Sequence, residues 1–228
     1  MDSVKKEFSR NARFYNRYNQ IQKSVVTDLL AQVTDRPRRI VDLGSGSGEV
    51  YTQISWPVES FTAVDFSEAM CRLHPLDKEV TVLRGDFNED AIFSTLSTIS
   101  FERLFSASAL QWAHDIHSVF LQIARLQKPI ALALFTSNTF ASLHHALGVS
   151  SPLPTKEKIE DEAKRHFKAD ISVKRYELAF ESTRMMFDYI KKSGVSSGMK
   201  QLGVGELRQL IRENRLRKIE AEVVFIVN

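Results

Sequence analysis

The residues best suited to chemistry stand between positions 40 and 65. Ile40-Val41-Asp42-Leu43 is a short apolar run broken by one acid, and Gly44-Ser45-Gly46-Ser47-Gly48-Glu49 follows it. Glycine has no Cβ, so such a turn can be tight and lets a ligand touch backbone. A buried strand, a glycine turn and a helix start together make a cradle for a nucleotide-like ligand. A plain Gly-rich turn between strand and helix would read the same way, so the spacing matters. Dinucleotide sites use G-x-G-x-x-G with a pyrophosphate on the turn. Here the glycines run G-x-G-x-G, and the Asp42 carboxylate lies two residues before the first of them. It would repel a pyrophosphate and suits a cationic ligand. A second apolar run, Phe61 to Asp65, also ends in an acid, 23 positions after Asp42. An acid there is placed to accept hydrogen bonds from both hydroxyls of a ribose. It can also serve the helix that Ser67 and Glu68 begin, as a turn or N-cap aspartate.

This arrangement of Asp42, Gly44, Gly46, Gly48 and Asp65 resembles motif I and the following acid of class I S-adenosylmethionine-dependent methyltransferases. The resemblance implies S-adenosylmethionine as cofactor, a ligand with a sulfonium and an ammonium and no phosphate. Further candidates for its site are Phe66, Met70, Asp86, Phe87 and Ser106. Met70 lies on the helix after Asp65, where it covers the adenine or simply fills the core. Asp86, in Gly85-Asp86-Phe87, is placed to accept from the adenine amine, with Phe87 lining the ring. The bland alternative is a turn Gly and Asp. Ser106 ends the fourth strand, beside the first, and its loop reaches the transferring methyl. In that loop Gln111 holds substrate or the cofactor amine and Trp112 walls the pocket; otherwise Trp112 is a core aromatic. His114 and His117, at a helix start, read as solvent-facing and are no part of the catalytic set.

These residues need a parallel sheet to position them. The chain has 228 residues with 43% hydrophobic and 26% charged residues, enough for one α/β domain with a large core. The expected strands are 39–43, 61–65, 80–83, 101–105, 130–135, 171–180 and 220–227. Helices fall at 48–55, from 67 onward, and at 116–127, 155–168, 182–193 and 205–214, and the piece 140–147 is expected to roof the substrate site. The fold class expected is a Rossmann-like α/β domain with a seven-stranded, mostly parallel sheet and a final antiparallel strand. Residues 3–33 read as two helices, from Phe8, Ala12 and Tyr15 and then Ile21, Val25, Leu29 and Leu30. They pack on the core or form a flap over the ligand. The partition expected is flap 1–33, cofactor-binding core 34–136 and substrate roof 137–228. No apolar run approaches the roughly 18 residues that span a membrane, and the start shows no signal-peptide pattern. Cys71 is the single cysteine, which excludes a disulfide framework or a cysteine zinc cluster and suits a reducing cytoplasm. A net charge of +3 is too weak to argue for nucleic acid.

Four stretches are similar to the malonyl-acyl-carrier-protein O-methyltransferase family of biotin synthesis. They are Phe8-Ser9-Arg10-Asn11-Ala12 to Tyr15 with Gln22 beyond, Ala109-Leu110-Gln111-Trp112, Phe135-Thr136-Ser137 leading to Ser142-Leu143, and Tyr189-Ile190-Lys191-Lys192-Ser193-Gly194-Val195-Ser196. The chain departs from that family in having Ser106-Ala107 for Ser-Asn, Pro129-Ile130-Ala131 for Pro-Gly-Gly, and a shorter length. The resemblance implies an acceptor that is the free carboxylate of a malonyl thioester on acyl carrier protein. A carboxylate is ionised near neutral pH, so no catalytic base and no metal is called for, only positioning and desolvation. It implies Tyr15 and Trp112 as pocket walls, Gln111 on the substrate, and Lys191 as the cation holding the carboxylate; a solvated helix lysine is the plain alternative. Lys156, Lys158, Lys164 and Arg165, or Arg208, Arg212 and Arg215, would steer the acidic carrier protein. The rivals are a methyltransferase for a small free carboxylate or a quinone-type ring, a cofactor-binding regulator without turnover, and a nicotinamide dehydrogenase, which the glycine spacing disfavours.

Overall fold

The apolar runs pair side by side as one sheet. The computed structural model describes residues 19–192 and 204–228, and within them the elements follow in this order: α1 (Gln20–Ala31), β1 (Arg39–Leu43), α2 (Glu49–Gln53), β2 (Ser60–Asp65), α3 (Glu68–Cys71), β3 (Val80–Arg84), α4 (Asp90–Ser97), β4 (Arg103–Ala107), a 3-10 turn (Leu110–Trp112), α5 (Ile116–Arg125), β5 (Ile130–Phe135), α6 (Ala141–Leu147), α7 (Lys156–His166), β6 (Asp170–Ala179), α8 (Thr183–Lys192), α9 (Val204–Glu213) and β7 (Lys218–Val227). The seven strands lie in the order β3-β2-β1-β4-β5-β7-β6. β7 runs antiparallel to both its neighbours, and the pairs among β1 to β5 are parallel.

Burial explains the sequence patterns. β5 is buried at all of its positions, as a strand covered on both faces must be. Its alternate residues feed two apolar layers. Ala131, Ala133 and Phe135 join Ile40, Phe61, Ala63 and Phe105 on one face, while Ile130, Leu132 and Leu134 join Val41, Leu43, Val64 and Leu104 on the other. β6, at the sheet edge, carries Lys174, Arg175 and Glu177, charges that blunt further pairing. Side-chain caps fix several helix starts. Ser67 accepts from Met70 N on α3, Asp115 from His117 N and Ser118 N on α5, and Thr155 from Lys158 N on α7.

Two features depart from the sequence expectation. α4 was not foreseen, because it is only eight residues long; it buries Ile92, Phe93 and Leu96. β4 begins at Arg103, two residues later than expected. Phe101 is buried all the same, in the loop, with the Lys128 ammonium 5.6 Å from its ring centre. The second half of the expected flap is α1, whose Ile21, Val25, Val26 and Leu29 face the core. The first half, with Phe8 and Tyr15, lies outside the described residues. Among the described residues no helix is long and apolar enough to cross a membrane.

The strand order reverses at β1, which has β2 on one side and β4 on the other. In open α/β sheets ligands bind in the crevice beyond the carboxyl ends of the strands at such a reversal.

Candidate functional site

The glycine turn lies at that crevice because its backbone is drawn back over β2. Gly44 N and Ser45 N both donate to Val64 O, at 2.8 and 2.9 Å. The turn needs a left-handed backbone at Gly44 (φ +80°) and Gly48 (φ +90°), and both positions are also crowded. A Cβ on Gly44 would stand 2.3 Å from Ala109 Cβ, and one on Gly48 within 2.7–2.9 Å of Pro75 and His74. At Gly46 the added carbon would meet nothing within 4 Å, so this residue faces open space. The turn borders a cleft that encloses, with the open solvent at its mouth, about 850 Å³.

Its charge is negative. Asp42, Glu49 and Asp65 all line it, and among the described residues that line it none is cationic. Asp42 is 1% exposed and neither of its carboxylate oxygens has a hydrogen-bond partner. Burial, with Asp65 nearby, pushes its pKa up to about 8. Asp65 is better served. Its Oδ2 accepts from Gly46 N at 2.9 Å and its Oδ1 from Ser67 N at 2.8 Å. Burial still raises its pKa to about 6 against those two bonds, and Asp86 adds to the rise. A buried carboxyl with no partner costs stability unless something charged or hydrogen-bonding joins it. A ligand carrying a positive charge and donor groups satisfies Asp42, and a phosphate would be repelled by it. Asp65 keeps further lone pairs while binding the turn, so the N-cap-like role leaves the same side chain able to accept from a diol.

The other wall is apolar. Phe66, Met70, Gly85 and Phe87 line the cleft on the β2–β3 side. Met70 is 2% exposed and serves the core as well. Asp86 borders the adjoining hollow, which shares Phe66 and Gly85 with the cleft, and its Oδ1 accepts from Asn88 N and Asn88 Nδ2. A flat heterocycle fits between such walls, with Asp86 at its edge. On the β4 side the lining is Ala107, Ser108, Ala109 and Trp112.

Not every candidate reaches the cleft. Ser106 is fully buried beneath it and donates its hydroxyl to Leu43 O at 2.6 Å, which locks β4 to β1. Gln111 is buried and donates to Ser108 O at 2.7 Å; it shapes the loop, and its Oε1 has no partner. Trp112 is a wall. Lys191 is exposed on α8 and is not among the described residues that line the cleft. Tyr15 lies outside the described residues. Four lining residues escaped the motif reading. Asn19 and Gln22 come from the start of α1, Glu49 from α2, and Ser108 from the loop after β4. Asn19 is 1% exposed, donates to Glu49 Oε2 at 3.3 Å, and leaves its own Oδ1 unpaired and buried. Ser108 holds a left-handed backbone (φ +62°) with a buried, unpartnered hydroxyl. Glu49, directly after the third glycine, was the one visible signal among them.

Known proteins resemble the chain in sequence and in fold. A methyltransferase domain model matches residues 41–135. The malonyl-[acyl-carrier protein] O-methyltransferase of Halorhodospira halophila is 25% identical, covering 96% of this chain and 78% of its own. The protein of the same name from Chlorobium phaeovibrioides is 28% identical, covering 85% of this chain and 79% of its own. In fold, the chain is similar to a Haemonchus contortus phosphoethanolamine N-methyltransferase solved with S-adenosylhomocysteine. The TM-score is 0.57 at 16% identity, over 96% of this chain and 57% of that one. The matched residues contain Asp42, Glu49 and Asp65 together with the glycine turn, and Asp42, buried without a hydrogen-bond partner, calls for a cationic ligand. Residues 41–135 match a methyltransferase domain, and the fold and the cleft motifs are those of an S-adenosylmethionine-dependent methyltransferase.

Proposed function

We propose that the chain methylates the free carboxylate of malonyl-acyl-carrier-protein, giving the methyl ester that opens pimeloyl synthesis for biotin. The observation that carries this reading is the name shared by the two relatives above, which align with most of the chain. When bound, S-adenosylmethionine would supply its sulfonium methyl group to an ionised acceptor oxygen and leave as the neutral thioether, S-adenosylhomocysteine.

The residues of the cleft divide the work as follows. Asp42 and Glu49 meet the positive charge at the amino acid end, and Asp65 takes the ribose hydroxyls. Phe66, Met70 and Phe87 enclose the adenine, with Asp86 on its amine. Ser106 and Gln111 act at one remove, holding the β4 loop so that Trp112 and Ser108 bound the space where the acceptor arrives. A carboxylate acceptor is already charged, so the site is asked for orientation and exclusion of water, worth several kcal/mol of barrier. The acidic cleft makes orientation demanding: an anionic acceptor must approach three carboxylates, and the cofactor's charge offsets them. Lys191 does not border the cleft, so the cation that holds the acceptor carboxylate is sought elsewhere than on that face of α8.

Docking of an acidic carrier protein is best supported at the end of α9. In α7, Lys156, Lys164 and Arg165 are each matched by Glu157, Glu160 and Glu162. Arg208, Arg212 and Arg215 are exposed, and Arg217 continues the positive run, while Lys218 beyond it is paired with Glu177. Such a patch steers association more than it adds affinity. The test is incubation of the protein and S-adenosylmethionine with malonyl-acyl-carrier-protein, malonyl-coenzyme A and free diacids, reading methyl ester by mass spectrometry. Turnover of the carrier-bound thioester supports the reading; turnover of free diacids alone refutes it.

A further inference from the structure

Away from the cleft, three donor atoms converge that methyl transfer does not use. His117 stands in the first turn of α5, fixed there by Asp115, which accepts from His117 N at 3.1 Å and Ser118 N at 3.3 Å. Glu162 and His166 lie four residues apart on α7 and share one face of it. The two helices pack together. His117 Nδ1 is 2.9 Å from Glu162 Oε2 and 3.1 Å from His166 Nε2, and His166 Nε2 is 3.6 Å from Glu162 Oε2. None of the three lines the cofactor cleft.

Protons serve this triangle badly. With a proton on His117 Nδ1, that one N–H must face both the carboxylate and the His166 lone pair. With the proton on His166 Nε2 instead, the His117 lone pair points at the carboxylate. With both protonated, two N–H groups and two positive charges stand 3.1 Å apart. One cation at the centre satisfies all three donors. Zinc bonds to nitrogen and carboxylate oxygen are about 2.0–2.2 Å, so ligands around a tetrahedral ion stand about 3.3–3.5 Å apart. The observed edges of 2.9, 3.1 and 3.6 Å bracket that spacing. Two imidazoles with one carboxylate select a first-row transition ion over magnesium or calcium. Arg165 Nη1 donates to the other oxygen of Glu162, Oε1, at 3.0 Å, an outer contact of the kind that orients ligating carboxylates. The side chains of Glu162 and His166 are 12% and 10% exposed, whereas His117 is 48% exposed. The triangle is therefore shielded on the α7 side and open to solvent on the other, where a water completes the coordination.

We propose that His117 Nδ1, Glu162 Oε2 and His166 Nε2 bind one divalent ion of the zinc class, which ties α7 to the start of α5. The tie joins α7, which precedes β6, to α5, which follows the β4 loop, and it stands whether or not the acceptor is malonyl-acyl-carrier-protein.

The test uses the full chain, without an affinity tag and stripped by chelator, titrated with zinc chloride in a non-coordinating buffer. The site predicts one ion per chain and a higher melting temperature with zinc. It predicts no comparable response to magnesium, and a loss of affinity of more than about tenfold in His117→Ala and in Glu162→Gln. Both variants keep S-adenosylmethionine binding, since neither residue touches the cleft. Cobalt(II) gives a readout on the unmodified protein: the intense visible bands of a four-coordinate ion support the site. A pale six-coordinate spectrum, the absence of saturable zinc uptake, or uptake unchanged in both variants overturns it.

Discussion

Replacing Asp42 with Asn separates the stability of the free protein from its function. Asp42 is 1% exposed and its carboxyl has no partner, and burial raises its pKa to about 8 from 3.8. The sign follows from linkage. The folded state holds this proton more tightly than the unfolded chain, so the free protein loses stability as pH rises from near 4 to near 8 and is level above that. At pH 7, keeping a proton on a group that ionises near 3.8 when unfolded costs about 4 kcal/mol. Asn carries no such cost but buries an amide worth about 1–3 kcal/mol of lost solvation. The net expectation is that Asp42→Asn stabilises the free protein by about 2 kcal/mol at pH 7, a rise of roughly 4–8 °C in melting temperature. The gain is lost and reversed toward pH 4, where the wild-type carboxyl carries almost no proton-retention cost and only the amide's lost solvation remains. Cofactor affinity moves the other way, by roughly ten- to a hundredfold, because a charge-assisted contact is gone. Thermal melts of both proteins from pH 4 to pH 8 check this. A melting temperature that falls on substitution at pH 7, or a difference that does not change with pH, refutes the reasoning.

Two glycine substitutions are expected to part company. Gly44→Ala drives a Cβ to 2.3 Å from Ala109 Cβ in a left-handed backbone and destabilises the fold by at least about 2 kcal/mol. Gly46→Ala has room and costs only the backbone term of about 1–2 kcal/mol; denaturant melts rank the pair. Glu222, 3% exposed, accepts from Thr136 Oγ1, Asn138 Nδ2 and Arg175 Nε. Glu222→Ala strips the loop after β5 of its anchor and is expected to cost about 2–4 kcal/mol in a denaturant melt. Reversing two charges, Arg212→Glu with Arg215→Glu, is expected to raise KM for a carrier-bound acceptor severalfold at low salt and leave cofactor affinity unchanged; an unchanged KM moves the docking face elsewhere.

The sheet was legible because its strands are apolar runs with abrupt ends. Ile130 to Phe135 is polar nowhere, and Arg39 to Leu43 stops at a glycine. The β4 boundary was not, because Phe101 is as apolar as the strand it precedes and is buried by the loop itself. α4 was short and carried no glycine or proline stop. In the site, the acids and glycines were legible because their chemistry is tied to a local turn. Asn19, Gln22 and Ser108 were not, since they reach the cleft only through the packing of α1 on the sheet and through a strained backbone at Ser108. Ser106 and Gln111 were named for contact and instead hold the loop from behind. His117 looked like an ordinary exposed helix-start histidine, because its partners stand more than forty residues further along the chain.

Titration calorimetry of S-adenosylmethionine into the free protein, run at pH 7 in two buffers of different ionisation enthalpy, tests the central claim most directly. A cation settling on Asp42 lowers a pKa that stands near 8, so binding to one site must release protons to the buffer. One-site binding with proton release, and loss of that release in Asp42→Asn, is the predicted result. No binding heat in either buffer, or binding with no proton released, contradicts a sulfonium cofactor held over the buried acid.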